Sequence, residues 1–207
     1  MIAPRLDTEP LEIDGRGWCT QALHRPSPNC DVRPNDAAID LLVIHNISLP
    51  PGRFGGGFVE DLFLNRLDPT AHPYFEQLRN LHVSAHFFIT RPGELIQFAS
   101  ASDRAWHAGM SSFCGRERCN DFSIGIELEG TDDTAFTEVQ YEMLTGLTLA
   151  LQRRYPLTDV AGHEHIAPSR KTDPGPFFDW LKYKQMMVSR IATSNRQATH
   201  TLPHFPV

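Results

Sequence analysis

Hydrophobic positions along this chain fall into three rhythms. Asp40-Leu41-Leu42-Val43-Ile44-His45-Asn46-Ile47 is a nearly unbroken apolar run ending in polar side chains, which predicts a buried central strand. Residues 122–129 alternate instead. Phe122, Ile124, Ile126 and Leu128 point to a core, while Ser123, Gly125, Glu127 and Glu129 share the other face. The third rhythm is helical: over 137–155, Val139, Met143, Leu147 and Leu151 make a stripe, with Thr137 placed to cap and Gln140 three residues on.

Pro50-Pro51-Gly52 and Gly55-Gly56-Gly57 mark a loop between such segments, and the glycines suit a lid. Short helices are predicted over 58–65 and 72–80, split by Asp68-Pro69. Strands over 84–90 and 94–99 flank Arg91-Pro92-Gly93 as a hairpin, and a further helix is predicted over 177–192. The polar, proline-bearing stretch 193–207 reads as a poorly ordered tail. Strands and helices thus interleave without an internal repeat. The fold class is α+β, a central mixed sheet flanked by helices, in one domain over 1–192.

Composition narrows the partners. With 207 residues, 41% of them hydrophobic, the chain can bury one sizeable core. A net charge of −6 gives no electrostatic footprint for nucleic acid. No apolar run reaches the roughly 18 residues a membrane helix needs, so no membrane partner is expected. Residues 1–17 carry Asp7, Glu9, Glu12 and Asp14 and no apolar h-region, which argues against a secretory signal and for a cytoplasmic protein. Cys19, Cys30, Cys114 and Cys119 are then expected as reduced thiols, and Cys114 and Cys119 lack a second ligand pair for a zinc knuckle.

The chemistry concentrates in 162–176, where His163, His165, Lys171 and Asp173 are framed by Pro168, Pro174 and Pro176. Two imidazoles and a carboxylate are the donors of an open catalytic zinc site. His45, at the end of its predicted strand, supplies one imidazole. If 162–173 is extended, His163 and His165 share a face and either supplies the other. Glu127 is either part of a solvated face with Glu129 or a general base. Lys171 is either a surface lysine or an oxyanion stabiliser.

The segments Val43-Ile44-His45-Asn46-Ile47-Ser48-Leu49-Pro50-Pro51-Gly52, Ala105-Trp106-His107-Ala108-Gly109, the run 115–130 and Arg170-Lys171-Thr172-Asp173-Pro174-Gly175-Pro176 resemble the AmpD family. These are the cytoplasmic N-acetylmuramoyl-L-alanine amidases of bacterial cell-wall recycling, and the likeness runs from about Trp18 to Trp180. It implies the fold shared with peptidoglycan recognition proteins, with one zinc ion in a groove. Carried over by position, the zinc ligands fall on His45, His163 and Asp173, the proton acceptor on Glu127 and the transition-state stabiliser on Lys171. Substrate contacts fall on Asn46, Arg118 and Arg170. A further arginine contact of the family falls on His82, so one anion contact is expected to be weakened. Trp106 and His107 either meet the sugar or close the core. The implied substrate is a small soluble 1,6-anhydromuropeptide, cleaved by a monomer, with damped β-lactamase induction as the consequence. The rivals are a lytic amidase acting on polymeric peptidoglycan and a non-catalytic muropeptide-recognition module.

Overall fold

The apolar run at 41–47 is the strand around which the sheet assembles. The computed structural model describes residues 10–34, 37–193 and 201–206. The chain begins with β1 (Leu23–His24), β2 (Cys30–Asp31), β3 (Leu41–Ile47), α1 (Phe58–Phe63) and a 3-10 turn over Pro73–Leu78. There follow β4 (Phe87–Ile89), β5 (Leu95–Gln97), β6 (Arg104–Ala105), β7 (Ser112–Phe113), β8 (Arg116–Glu117) and a 3-10 turn at Cys119–Asp121. The last part holds β9 (Ser123–Glu129), α2 (Glu138–Gln152), β10 (Asp159–Gly162), α3 (His163–Ile166) and α4 (Trp180–Thr193).

The main sheet has the order β1-β5-β4-β9-β3-β10, parallel throughout except for the β4–β5 hairpin. It is the expected mixed sheet. Parallel strands are covered on both faces, which explains why all seven residues of β9 are buried, Glu127 and Glu129 included. The solvated face considered for those two carboxylates does not exist. Alternation in the sequence marks two faces correctly but says nothing of what covers the polar one.

α2 and α4 cover one face, packing Tyr141, Leu144, Leu147, Tyr183 and Met187 against the strand residues Leu42, Ile44, Ile124 and Ile126. The expected stripe of α2 is corrected at its start. Val139 is 36% exposed, and buried Gln140 takes the inward position. The physical reason is capping: Gln140 Oε1 accepts from Thr137 N–H at 3.0 Å, while its amide donates to the carbonyls of Glu129 and Ile89. One polar side chain thus closes the capping box and satisfies two strand carbonyls. A second cluster, Phe63, Phe75, Phe88 and Phe98 among others, fills the other face beneath α1 and the first 3-10 turn.

In the tail expected over 193–207, residues 194–200 and 207 lie outside the described residues. Residues 201–206 run beside the edge strand β10. Val160 N–H donates to His204 O and His204 N–H to Thr158 O, both at 2.8 Å, and Phe205 meets the Tyr183 ring at 5.2 Å. All four cysteines are free, and no helix among the described residues is long and apolar enough to cross a membrane.

Candidate active site

Because β3, β9 and β10 are parallel, their C-terminal ends open on one edge of the sheet, where ligands are commonly bound in such folds. His45 on β3 is the direct register partner of Glu127 on β9. β10 ends at Gly162, and His163 opens the next helix at once. The chain then loops back, and Glu164 N–H donates to the Asp173 carbonyl at 2.9 Å. That bond fixes the turn carrying the Asp173 side chain.

The three side chains meet in a tight triangle. His45 Nδ1 lies 2.9 Å from His163 Nδ1, and Asp173 Oδ2 lies 3.0 and 3.1 Å from those two nitrogens. His163 Nε2 is 3.1 Å from the Ala108 carbonyl, which can only accept, so the neutral tautomer that fits this contact has its proton on Nε2. Its Nδ1 then presents a lone pair to the triangle. Burial holds His45 down to about 4, against the pull of Asp173, so this ring is neutral at pH 7. Lone pairs facing one another around a carboxylate are satisfied by a cation. The N, N, O donor set fits zinc with a fourth position open.

Glu127 completes the arrangement. Its Oε2 is buried without a hydrogen-bond partner, a costly state for a carboxylate. Burial, then the charge of Asp173, push its carboxyl well above the ordinary value, while Lys171 pulls the other way. The site opens into a cleft of about 1080 Å³, walled in part by Tyr74, Leu78, Leu81 and Trp106. That is room for a ligand larger than a single sugar or amino acid.

The sequence profile described as N-acetylmuramoyl-L-alanine amidase matches residues 35–176. The chain belongs to that amidase family. Within it the chain is 55% identical over 173 residues to the 1,6-anhydro-N-acetylmuramyl-L-alanine amidase AmpD of Citrobacter freundii, covering 83% of this chain and 92% of that one. It is 53% identical over 180 residues to AmpD of Escherichia coli strain K12, covering 86% and 98%. A crystal structure of a selenomethionine AmpD derivative superposes with a TM-score of 0.81 at 55% identity, over 83% of this chain and 97% of that one. The AmpD resemblance carried by the motifs is borne out.

The AmpD-derived positions sort by geometry. His45, His163 and Asp173 converge, with Glu127 beside them. Lys171 is exposed and lines the cleft. Asn46 also lines it, its amide donating to Asp132 Oδ1 at 2.7 Å and Pro174 O at 3.0 Å. Arg170 reaches the cleft while donating to the carbonyls of Ala108 and Met110, both at 2.7 Å. Arg118 is turned to Asp121, 3.2 Å away, and lies apart from the cleft-lining residues. His82 lines the cleft.

His165 takes no part in the triangle. The segment is one turn of helix, not extended, so residues two apart point in different directions. His165 Nδ1 accepts from Gly162 N–H at 2.8 Å, and its ring stands edge-on to Trp180 at 5.6 Å.

Two supports were not foreseen. Asp132 holds Asn46, and Glu129 accepts from the N–H groups of Gly55 and, at 2.8 Å, Arg91, tying the glycine loop to the hairpin turn. Neither leaves a signal in spacing, since both are acidic residues near polar loops.

Proposed function

We propose that this amidase hydrolyses the amide between the lactyl group of 1,6-anhydro-N-acetylmuramic acid and L-alanine in soluble muropeptides. We further propose that it is a zinc-dependent cytoplasmic enzyme of cell-wall recycling that limits β-lactamase induction by removing the signalling muropeptide. The observation carrying the reading is the convergence of His45, His163 and Asp173 beside a buried, unpartnered Glu127 oxygen at the cleft.

His45, His163 and Asp173 would hold one zinc ion, whose Lewis acidity makes water nucleophilic near neutral pH and stabilises negative charge on a carbonyl oxygen. Glu127 takes the proton of the attacking water as its oxygen bonds to the lactyl carbonyl carbon. The raised affinity of this carboxyl for a proton suits it to hold that proton. Glu127 then delivers it to the alanine nitrogen as the carbon–nitrogen bond breaks. The Lys171 ammonium faces the negative charge built up in between, a contact worth about 2–4 kcal/mol. Asn46 and Arg170 orient the substrate from the cleft wall, and Arg118 meets a stem carboxylate after leaving Asp121. The stem of such substrates carries carboxylates that a guanidinium grips in two places.

The test is hydrolysis of purified anhydromuropeptide and of intact sacculi, before and after chelation, with zinc content measured in parallel. The reading expects turnover of the soluble substrate, lost on chelation and restored by zinc. Sacculus cleavage without soluble turnover would instead establish the lytic amidase, and full activity in metal-stripped protein would end the zinc reading.

A further inference from the structure

Both candidate ligand imidazoles lean on one loop. His163 Nε2 donates to the Ala108 carbonyl at 3.1 Å, and His45 Nε2 lies 2.9 Å from Nδ1 of His107, the residue before it. The direction of the second contact follows from what stands behind it. The Ser123 hydroxyl gives its one hydrogen to the Cys119 carbonyl at 2.6 Å. Toward His107 Nε2, 3.2 Å away, Ser123 Oγ can therefore only accept. The proton of His107 thus sits on Nε2, and its Nδ1 carries a lone pair. That lone pair accepts from His45 Nε2–H, which leaves His45 Nδ1 bare toward Asp173 and His163.

The place for the His107 ring is built into the sheet. A Cβ at Gly125 would stand 2.4 Å from His107 Cγ, so β9 offers no side chain exactly where the imidazole lies. The loop itself is pinned by Asn120, whose Oδ1 accepts from the N–H groups of His107 and Ala108 at 3.2 and 2.8 Å. A general ring-stacking role needs none of this hydrogen-bond order.

We propose that His107 is a positioning residue for the metal: the line Cys119 carbonyl, Ser123, His107, His45 holds His45 in the tautomer that ligates through Nδ1. With the Ala108 carbonyl acting on His163, the loop 106–109 orients both histidines at once. The inference rests on the proposed ligand set of His45, His163 and Asp173. Partners of this kind fix ring orientation and ligand basicity, and their loss commonly lowers metal affinity 10–100-fold.

Long-range proton–nitrogen spectra of the zinc-loaded, nitrogen-15-labelled protein should show His45 protonated on Nε2 and bound through Nδ1, with His107 protonated on Nε2. Chelator competition should show His107→Phe weakening zinc binding by about 10–100-fold. His107→Asn, whose Oδ1 can stand where Nδ1 does, should stay within about threefold of wild type. Denaturant unfolding of each chelated variant separates this effect from loss of the fold. If His107→Phe does not fold, Ser123→Ala and the wild-type spectrum still decide. Coordination of His45 through Nε2, or unchanged zinc affinity in folded His107→Phe, would overturn the inference. Zinc binding by wild type without His45 is a different result, and it would sink the ligand set itself.

Discussion

At Glu127 the parallel register places a carboxylate directly beside His45 and leaves Oε2 buried without a partner. Glu127→Gln keeps the shape but not the basicity, so turnover should fall by about 10² or more while zinc content is unchanged. It should also unfold no more easily than wild type at pH 8, because it removes an uncompensated buried charge. Undiminished turnover would take Glu127 out of the mechanism. The buried histidines make a second prediction, for chelated protein. Burial holds His45 to about 4 and His86 to about 3, with Arg33 adding to the effect on His86. Their folded values lie below the unfolded one, so the stability they contribute is present above about pH 6.5 and is lost as pH falls. The raised carboxyls of Glu127 and Glu164 act oppositely, while the lowered imidazoles of His107 and His165 act in the same direction as His45 and His86. Net stability should therefore drop from pH 7 to pH 5, by at most about 1.4 kcal/mol per pH unit for each histidine. Equal urea midpoints at the two values would refute this. At this scale the donor types were legible because few residue types ligate zinc. The choice of His163 over His165 came from the AmpD resemblance alone, since spacing cannot reveal that the backbone makes a helical turn there.

Among elements, β3 and the phase of β9 were legible because apolar runs and period-2 alternation are direct consequences of strand geometry. The inward face of α2 begins at Gln140 and not at Val139 as hydrophobic periodicity predicts, because capping by Gln140 outweighs that periodicity. Val139 instead lies over Gly93, where an added Cβ would come within 2.3 Å of it. Gly125 on β9 gave no warning either: a glycine in a strand signals a close approach without saying by what. Here it is His107, at 2.4 Å from the missing Cβ. Gly125→Ala should cost about 1–3 kcal/mol through overpacking and weaken zinc binding as well. Urea unfolding and chelator competition on the same preparation check both, and an alanine tolerated in each would mean that the ring has another place to go.

For the whole molecule, the sheet, its helical cover and the position of the cleft follow from the parallel order of β9, β3 and β10. Parallel order itself was not readable from the sequence, because pairing partners far apart in the chain leave no local mark. The segment 201–206 extends the sheet beyond β10 and brings Phe205 onto Tyr183. Ending the chain at residue 200 should lower stability by about 1–2 kcal/mol, from apolar area returned to water and an uncovered strand edge. Thermal melts of the two lengths would show it, and coincident curves would make the segment dispensable.

His45 and Glu127 face each other across adjacent hydrogen-bonded backbones, whose separation of about 4.8 Å is common to all sheets. The backbone spacing between His45, a proposed metal ligand, and Glu127, a proposed proton carrier, is therefore inherited from main-chain geometry and is not set by either side chain. Evolution toward other cell-wall fragments would have to work through the surrounding loops, leaving reactivity constant while selectivity drifts.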